Sequence, residues 1–156
     1  MPATVRDNPG VIAPPPLIFL GFLLLGLVLD ALWPLAILPD VTQYLLGIVL
    51  FGLGIGLSVT CIAHLRRLGT DFRTHKPAST LVTDGPYRVS RNPIYIALSL
   101  VHIGIAVAVD SPWMLAMLIP ALAVVRIGVI AREERYLEAS FGDDYRRYRA
   151  SVRRWL

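Results

Sequence analysis

The sequence predicts an all-α integral membrane protein with four transmembrane helices in a single domain, residues 1–156. Hydrophobic residues make up 55% of the chain, and the mean hydropathy is +0.61, which is too apolar for a soluble domain. The apolar residues fall into four runs, each close to the ~20 residues that a helix needs to cross a bilayer. Charged residues are concentrated between and after these runs.

Short and long connections alternate between the predicted helices. Residues 1–16 are a polar lead-in that we expect to be loosely ordered. The predicted spans are residues 17–33, 41–63, 93–109 and 113–130. Short connections, 34–40 and 110–112, join the first span to the second and the third to the fourth. Gly52 and Gly56 in the second span have the four-residue spacing typical of close helix packing in lipid.

The positions of the basic residues predict the orientation of the chain. Six Lys and Arg residues lie between positions 66 and 91 and seven between 132 and 154, whereas connections 34–40 and 110–112 contain none. By the positive-inside rule, both basic segments and both termini are cytoplasmic. The net charge of +4 therefore indicates topology and contact with anionic lipid, and we expect no nucleic-acid partner.

Few residues suit metal or disulfide chemistry. The single cysteine, Cys61, excludes an internal disulfide and has no second thiol for a metal site. His64 and His75 do not have metal-ligand spacing. We therefore expect no metal. No Ser-His-Asp or Gly-x-Ser-x-Gly pattern occurs either, so hydrolysis is not expected.

A polar extension follows the last span. Residues 131–141 continue as a helix that Gly142 ends, and a final helix begins at Asp143. On that helix Tyr145, Tyr148 and Trp155 share one face, while most arginines lie off it. This pattern is typical of an amphipathic helix at the cytoplasmic interface.

Residues 79–95 form a polar, basic, turn-rich segment between two apolar runs. Gly85-Pro86 interrupts regular structure, and Asn92-Pro93 begins a helix with proline in its first turn. Two tyrosines and two arginines therefore lie where the chain re-enters the membrane. The whole connection, 64–92, is long for a loop without a function. We expect a ligand to bind here.

Arg126 and His102 are the ionisable residues within the predicted spans that we weigh for a function. Arg126 is about one turn inside the fourth span, where a cation is costly; it either extends to the cytoplasmic surface or serves a function. It precedes Glu133 by seven residues, so the two are expected to share a helix face. His102 in the third span is either hydrogen-bonded within the bundle or a base that orients a headgroup.

Glu133 and Glu134 are adjacent, and neighbouring helical residues point about 100° apart, so only one of them is expected to face a site. On spacing alone, Glu134 is expected to pair at the surface with Arg132 or Arg135.

Several motifs together resemble a known family. Gly85-Pro86-Tyr87-Arg88 is followed by Arg91-Asn92-Pro93-Ile94-Tyr95, then by Glu133-Glu134 and Phe141-Gly142-x-x-Tyr145. This half of the chain, residues 79–155, resembles the isoprenylcysteine carboxyl methyltransferases, to which phosphatidylethanolamine N-methyltransferases are more distantly related. The resemblance implies S-adenosylmethionine as cofactor, S-adenosylhomocysteine as product, and a lipophilic acceptor that enters from the bilayer. The cofactor-binding residues that it implies are Ser79, Thr80, Leu81, Val82, Tyr87, Asn92, Pro93, Ile94, Tyr95 and Glu133.

The chain departs from that family at two positions. Asn92 stands where the isoprenylcysteine enzymes have histidine. The asparagine is closer to the phospholipid N-methyltransferase form. Their substrate-contacting arginine matches Val129, and Arg126, about one turn earlier, is the candidate to replace it. The candidate catalytic residues are Arg126, Tyr95 and His102. The acceptor is open between a lipophilic carboxylate, a phospholipid amine and a small lipophilic thiol; an amine would need a base, His102 or Glu134.

Two other functions fit the same pattern. Membrane sterol reductases are similar in this half of the chain but bind a nicotinamide cofactor, and Arg88 and Arg91 would then hold its 2′-phosphate. The third possibility is a non-catalytic membrane module, such as an assembly or sensor subunit.

Overall fold

A computed structural model describes residues 9–37, 40–69 and 80–156, and in these ranges the chain is helical, without strands. The helices are α1 (Pro15–Leu32), α2 (Asp40–Arg67), α3 (Pro93–Ala108), α4 (Pro112–Val125) and α5 (Ala131–Ser151), with a 3-10 turn at Gly85–Arg88 and a π turn at Arg126–Ile130. The bounds agree closely with the predicted ones, although α2 continues four residues beyond the expected end.

In the part of the chain that the structure describes, three helical stretches are long and apolar enough to cross a membrane: α1, α2 and the continuous stretch Pro112–Ser151. Large apolar side chains are exposed along α2, such as Ile48 at 65%, as contact with lipid requires. The protein is thus an all-helical integral membrane protein. Helix α3 has 16 residues and is about 24 Å long, against ~30 Å for the hydrocarbon core. The four-span topology with cytoplasmic termini stays a prediction.

The helices pack so that two ends of the bundle differ. Helix α2 lies along α3, α1 lies along α4, and α3 contacts α4. An apolar cluster joins the start of α1 (Ile18 and Phe19), the start of α3 (Tyr95) and the end of α4 (Val125). We call the end of the bundle that contains this cluster the basic end. It comprises residues 9–19, 61–69, 80–95 and 125–156. The opposite end, residues 30–37 and 108–114, we call the acidic end.

Close helix packing occurs at other glycines than the predicted pair. Within the described residues, a Cβ added at Gly52 or Gly56 would meet nothing within 4 Å, so the expectation for these two is wrong. Instead, Gly47 and Gly54 of α2 and Gly104 of α3 bring the two helices together, since a Cβ at any of them would lie under 3.0 Å from the facing helix. Spacing alone does not decide which helix face meets a neighbour.

The lead-in is docked where the structure describes it; residues 1–8 lie outside the described ranges. The main-chain N–H of Ile12 donates to the carbonyl of Gly128 (3.3 Å), and Arg132 Nη1 donates to the carbonyl of Gly10 (2.6 Å). The Ile12 side chain occupies the space that a side chain at Gly128 would fill. The expectation of a loose lead-in is therefore wrong for residues 9–14, because the π turn presents a carbonyl and a bare backbone that the sequence pattern does not reveal.

Candidate cofactor site at the basic end

Tyr95 and Glu133 connect the first turns of α3 and α5. Tyr95 is only 6% exposed, and its hydroxyl lies 2.8 Å from both carboxyl oxygens of Glu133. The hydroxyl has one proton, so it donates to one oxygen at a time. Pro93 in the first turn of α3, with Asn92 before it, starts the helix at the register that sets Tyr95 against α5.

The carboxyl group of Glu133 has a raised pKa. Burial raises its pKa to about 7; the hydrogen bond from Tyr95 opposes this rise, and the neighbouring charge of Glu134 adds to it. Such a group gains from a ligand that carries positive charge or donates hydrogen bonds. A perturbed carboxylate beside a buried tyrosine is therefore a candidate binding group.

The 3-10 turn Gly85–Arg88, which carries Tyr87, is fixed against the end of α2. Gly85 has a φ of 56°, and a Cβ there would collide with the imidazole of His64, so only glycine fits. His64 Nε2 lies 2.9 Å from Asp84 Oδ1, and this hydrogen bond lowers the pKa of Asp84. The end of α2 is thereby attached to the turn.

Tyr87 lies in this turn, close enough to Glu133 for the charge of that carboxylate to act on the tyrosine hydroxyl. Burial raises the pKa of Tyr87 far above its ordinary value, and the negative field of Glu133 contributes. The Tyr148 hydroxyl of α5 donates to the main-chain carbonyl of Tyr87 (2.6 Å). Gly142, with a φ of 52°, divides α5 as predicted, and this break lets the buried Tyr148 face the turn rather than lipid.

The segment before the turn offers main-chain groups. Ser79 lies outside the described residues. Thr80 is exposed, Leu81 is partly buried and Val82 is 9% exposed. Leu81 and Val82 belong to neither helix nor strand, so regular structure does not use their N–H and C=O groups.

The remaining residues of the motif begin α3, and their side chains face the protein. Asn92 is 8% exposed; its Nδ2 donates to the carbonyl of Arg154 (3.0 Å). Its main-chain N–H donates to Ser90 Oγ (3.1 Å). Pro93 is buried and Ile94 half-buried.

Glu134 has different partners from those expected. It accepts from Arg91 Nη1 (2.9 Å) and from Arg154 Nε and Nη2 (3.0 and 2.7 Å). Its side chain is 14% exposed and that of Arg91 10%. The predicted surface pairing with Arg132 or Arg135 is wrong, because both of these arginines donate to main-chain carbonyls. Sequence spacing gave no signal for partners 43 and 20 residues away.

Two of the three candidate catalytic residues lie apart from the Tyr95–Glu133 pair. Arg126 is exposed, and the structure does not bring it to Glu133. The π turn that begins at Arg126 is wider than an α turn, so a seven-residue separation no longer puts two residues on one face. Val129, the position of the family's arginine, is fully buried in the apolar cluster.

His102 is a packing residue between α3 and α4. It is fully buried, its Nε2 donates to the carbonyl of Met114 (2.9 Å), and its ring meets Phe19 edge-on. It lies seven residues beyond Tyr95, about 10 Å deeper along α3. Among the described residues, no group of three or more His, Cys, Asp or Glu could hold a metal ion.

Comparison with known proteins identifies the family of this chain. The model of the phospholipid methyltransferase family matches residues 42–144, well over half of the chain. The chain belongs to the phospholipid methyltransferase family.

Similarity to individual curated proteins is local. Over 27 residues the chain is 74% identical to an uncharacterized protein of Haemophilus influenzae, covering 17% of this chain and 43% of that protein. Over 63 residues it is 36% identical to the cobalt-zinc-cadmium resistance protein CzcN of Cupriavidus metallidurans, covering 40% of this chain and 29% of that protein. The chain thus spans less than half the length of either relative. No solved structure matches it.

Proposed function

We propose that this protein is an S-adenosylmethionine-dependent methyltransferase that acts on a lipophilic acceptor. Membership of the phospholipid methyltransferase family supports the reaction class. The observation that carries the proposal is the pair formed by Tyr95 and Glu133, with Tyr87 beside it. The site opens to the cytosol in this proposal, and the acceptor reaches it from the bilayer.

The residues at the basic end suit the chemical groups of this cofactor. A sulfonium cation is attracted to aromatic faces, which Tyr87 and Tyr95 supply. Ribose hydroxyls or an ammonium group are donors, and Glu133 is an acceptor. The main chain of Leu81 and Val82, which lies outside helices and strands, offers the donors and acceptors that the edge of a purine requires. Each cofactor group therefore has a matching partner.

The cofactor, when bound, supplies a methyl carbon that the sulfonium already activates. The protein's contribution is then to align the acceptor with that carbon and to exclude water. The partly buried Tyr87 and the buried Tyr95 would line the site, and Glu133 would fix the orientation of the donor groups that it binds. Little proton transfer is needed for a carboxylate acceptor.

An amine acceptor must lose a proton, and the site then needs a base. The two bases considered from the sequence are both engaged: His102 with Met114 and Glu134 with two arginines. Glu133, with a pKa of about 7, is the better candidate. A prenylated carboxylate and a phospholipid amine are both compatible with these residues. The description of the family and the Asn92-Pro93 motif support the amine as an acceptor.

Calorimetric titration of the detergent-purified full chain tests the cofactor. Binding of S-adenosylhomocysteine without binding of NADPH is the expected result. Binding of NADPH alone would replace the proposal by a membrane reductase. Binding of neither would favour a non-catalytic module.

Lipid mass spectrometry tests the acceptor. Extracts of cells that contain the protein are compared with extracts of cells that contain its Glu133→Gln variant, so that expression of a membrane protein is matched. A product heavier by one methyl group in the first extract identifies the acceptor. If no lipid differs, the acceptor is not a membrane lipid.

A further inference from the structure

The last residues of the chain lie across the start of α3. The main-chain N–H of Arg91 donates to the carbonyl of Arg153 (2.9 Å). Ser90 Oγ and Asn92 Nδ2 both donate to the carbonyl of Arg154 (3.1 and 3.0 Å). Chain termini fray unless they are tied down. Three hydrogen bonds within three residues hold this terminus in place.

The side chains of the same segment fix its other side. Arg154 forms two hydrogen bonds with Glu134, and Glu134 also binds Arg91. Trp155 packs against the apolar cluster that contains Tyr95. A single residue, Arg154, therefore connects the start of α3, through its carbonyl, with the start of α5, through its guanidinium.

These two helix starts carry the two halves of the candidate site. Tyr95 lies one turn after Asn92, and its N–H donates to the Asn92 carbonyl (3.1 Å). Glu133 is adjacent to Glu134. A displacement of either helix start would therefore change the 2.8 Å contact between Tyr95 and Glu133. Because cofactor recognition depends on such distances, small shifts are costly.

We propose that the C-terminal segment 152–155, acting through Arg154, is a positioning element that holds Tyr95 and Glu133 at the distance needed for cofactor binding. The segment lies beyond residues 42–144, which the family model matches. The inference deepens the proposed function and rests on it for the identity of the ligand. The positioning role itself is a property of the ligand-free protein.

Arg154 is a suitable residue to change because its loss leaves a neutral pair. Without its guanidinium, Glu134 still pairs with Arg91, so no buried charge is left uncompensated. Loss of Glu134 would instead leave two cations together. The Arg154→Ala variant is therefore expected to fold. The adjacent Arg153 is exposed, and Arg153→Ala is a matched control that removes the same side chain one residue earlier.

The test is titration of the detergent-purified full chain with S-adenosylhomocysteine. Arg154→Ala should bind about tenfold more weakly than the wild type, or ~1.4 kcal/mol, and Arg153→Ala should bind like the wild type. Arg154→Lys, which keeps the charge but not the two-pronged geometry, should fall between them. The thermal midpoint of ligand-free Arg154→Ala should fall below that of Arg153→Ala, because two charge-assisted hydrogen bonds are lost. Both variants should nevertheless be fully folded at the temperature of the titration, so unfolding does not account for the weaker binding. Equal affinities for the two alanine variants would overturn the inference.

Amide hydrogen exchange separates failure of this inference from failure of the proposed function. If the wild type does not bind S-adenosylhomocysteine, the proposed function fails, but exchange still reports on positioning. Faster exchange at residues 90–96 in Arg154→Ala than in Arg153→Ala supports the positioning element. Unchanged exchange there would reject it, whatever the ligand.

Discussion

The two ends of the bundle use polar residues in opposite ways. At the acidic end, neutral donors satisfy acceptors one by one: Ser111 Oγ donates to Asp30 (2.9 Å), and Trp113 Nε1 donates to the carbonyl of Trp33 (2.7 Å). At the basic end, charged groups share partners, as when two arginines bind Glu134, and Glu133 has a raised pKa.

From this difference we expect chemistry at the basic end. The hydrogen bonds described at the acidic end have neutral donors and link the two short connections. At the basic end, burial opposes the negative charge of Glu133 and raises its pKa. Carboxylates with a pKa perturbed in this way are typical of functional sites. Changes at the basic end should therefore affect ligand affinity, whereas changes at the acidic end should affect only stability.

The largest effect, a loss of stability, is expected for Glu134→Ala. This change leaves Arg91 and Arg154 facing each other in a largely buried place, at a cost of about 3–5 kcal/mol. Glu138→Ala is the matched control, since Glu138 on the same helix also binds two arginines but at the exposed surface. Its loss should cost below ~1 kcal/mol. Denaturation in detergent measures both, and equal costs would contradict the view that the Glu134 cluster holds the basic end together.

The next effect concerns ligand affinity. Glu133→Gln removes a charged acceptor and should weaken S-adenosylhomocysteine binding by about 2 kcal/mol, or roughly thirtyfold. Asp30→Asn makes the same chemical change at the acidic end. Calorimetry should find wild-type affinity for Asp30→Asn. An equal loss in both variants would mean that the two ends do not differ in function.

Gly26 of α1, which packs against Met114 of the acidic end, tests that end in the other direction. A Cβ at Gly26 would lie 2.6 Å from Met114 Cα of α4, whereas one at Gly21 would meet nothing within 4 Å among the described residues. Gly26→Ala should lower stability by about 1–3 kcal/mol. Gly21→Ala should not lower it. Denaturation in detergent measures the stability, and calorimetry should find that the folded fraction of both variants binds S-adenosylhomocysteine normally. Weaker binding by Gly26→Ala would show that the ends are coupled.

The smallest effect is the pH dependence. The folded state raises the pKa of Glu133 from 4.5 to about 7, so it favours the protonated form. This contribution to stability is full below pH 4.5 and is lost as pH rises through 7. Ligand donors prefer the carboxylate, so affinity for S-adenosylhomocysteine should increase about tenfold between pH 6 and 8. Glu133→Gln should show no such increase, and a flat profile in the wild type would contradict the assignment.

Much of the local structure could be predicted because it depends on neighbours in the chain. Apolar runs predicted the bounds of α1 to α4 to within five residues, Pro93 predicted the start of α3, and Gly142 predicted the break in α5. The resemblance to the isoprenylcysteine carboxyl methyltransferases grouped Tyr95 with Glu133, and the structure brings their side chains together. Their part in cofactor binding stays a prediction.

What the sequence alone determined is the set of helices, their membrane location and the end at which charge accumulates, because hydropathy and turn residues act over a few positions. Only the tertiary structure decided which polar groups meet. The pairing of Glu134 with Arg91 and Arg154, the docking of residues 9–14 on the π turn, and the choice of Gly54 over Gly52 for close packing all depend on how helices rotate against each other. That rotation is set by the packing of the whole bundle, which no local pattern encodes.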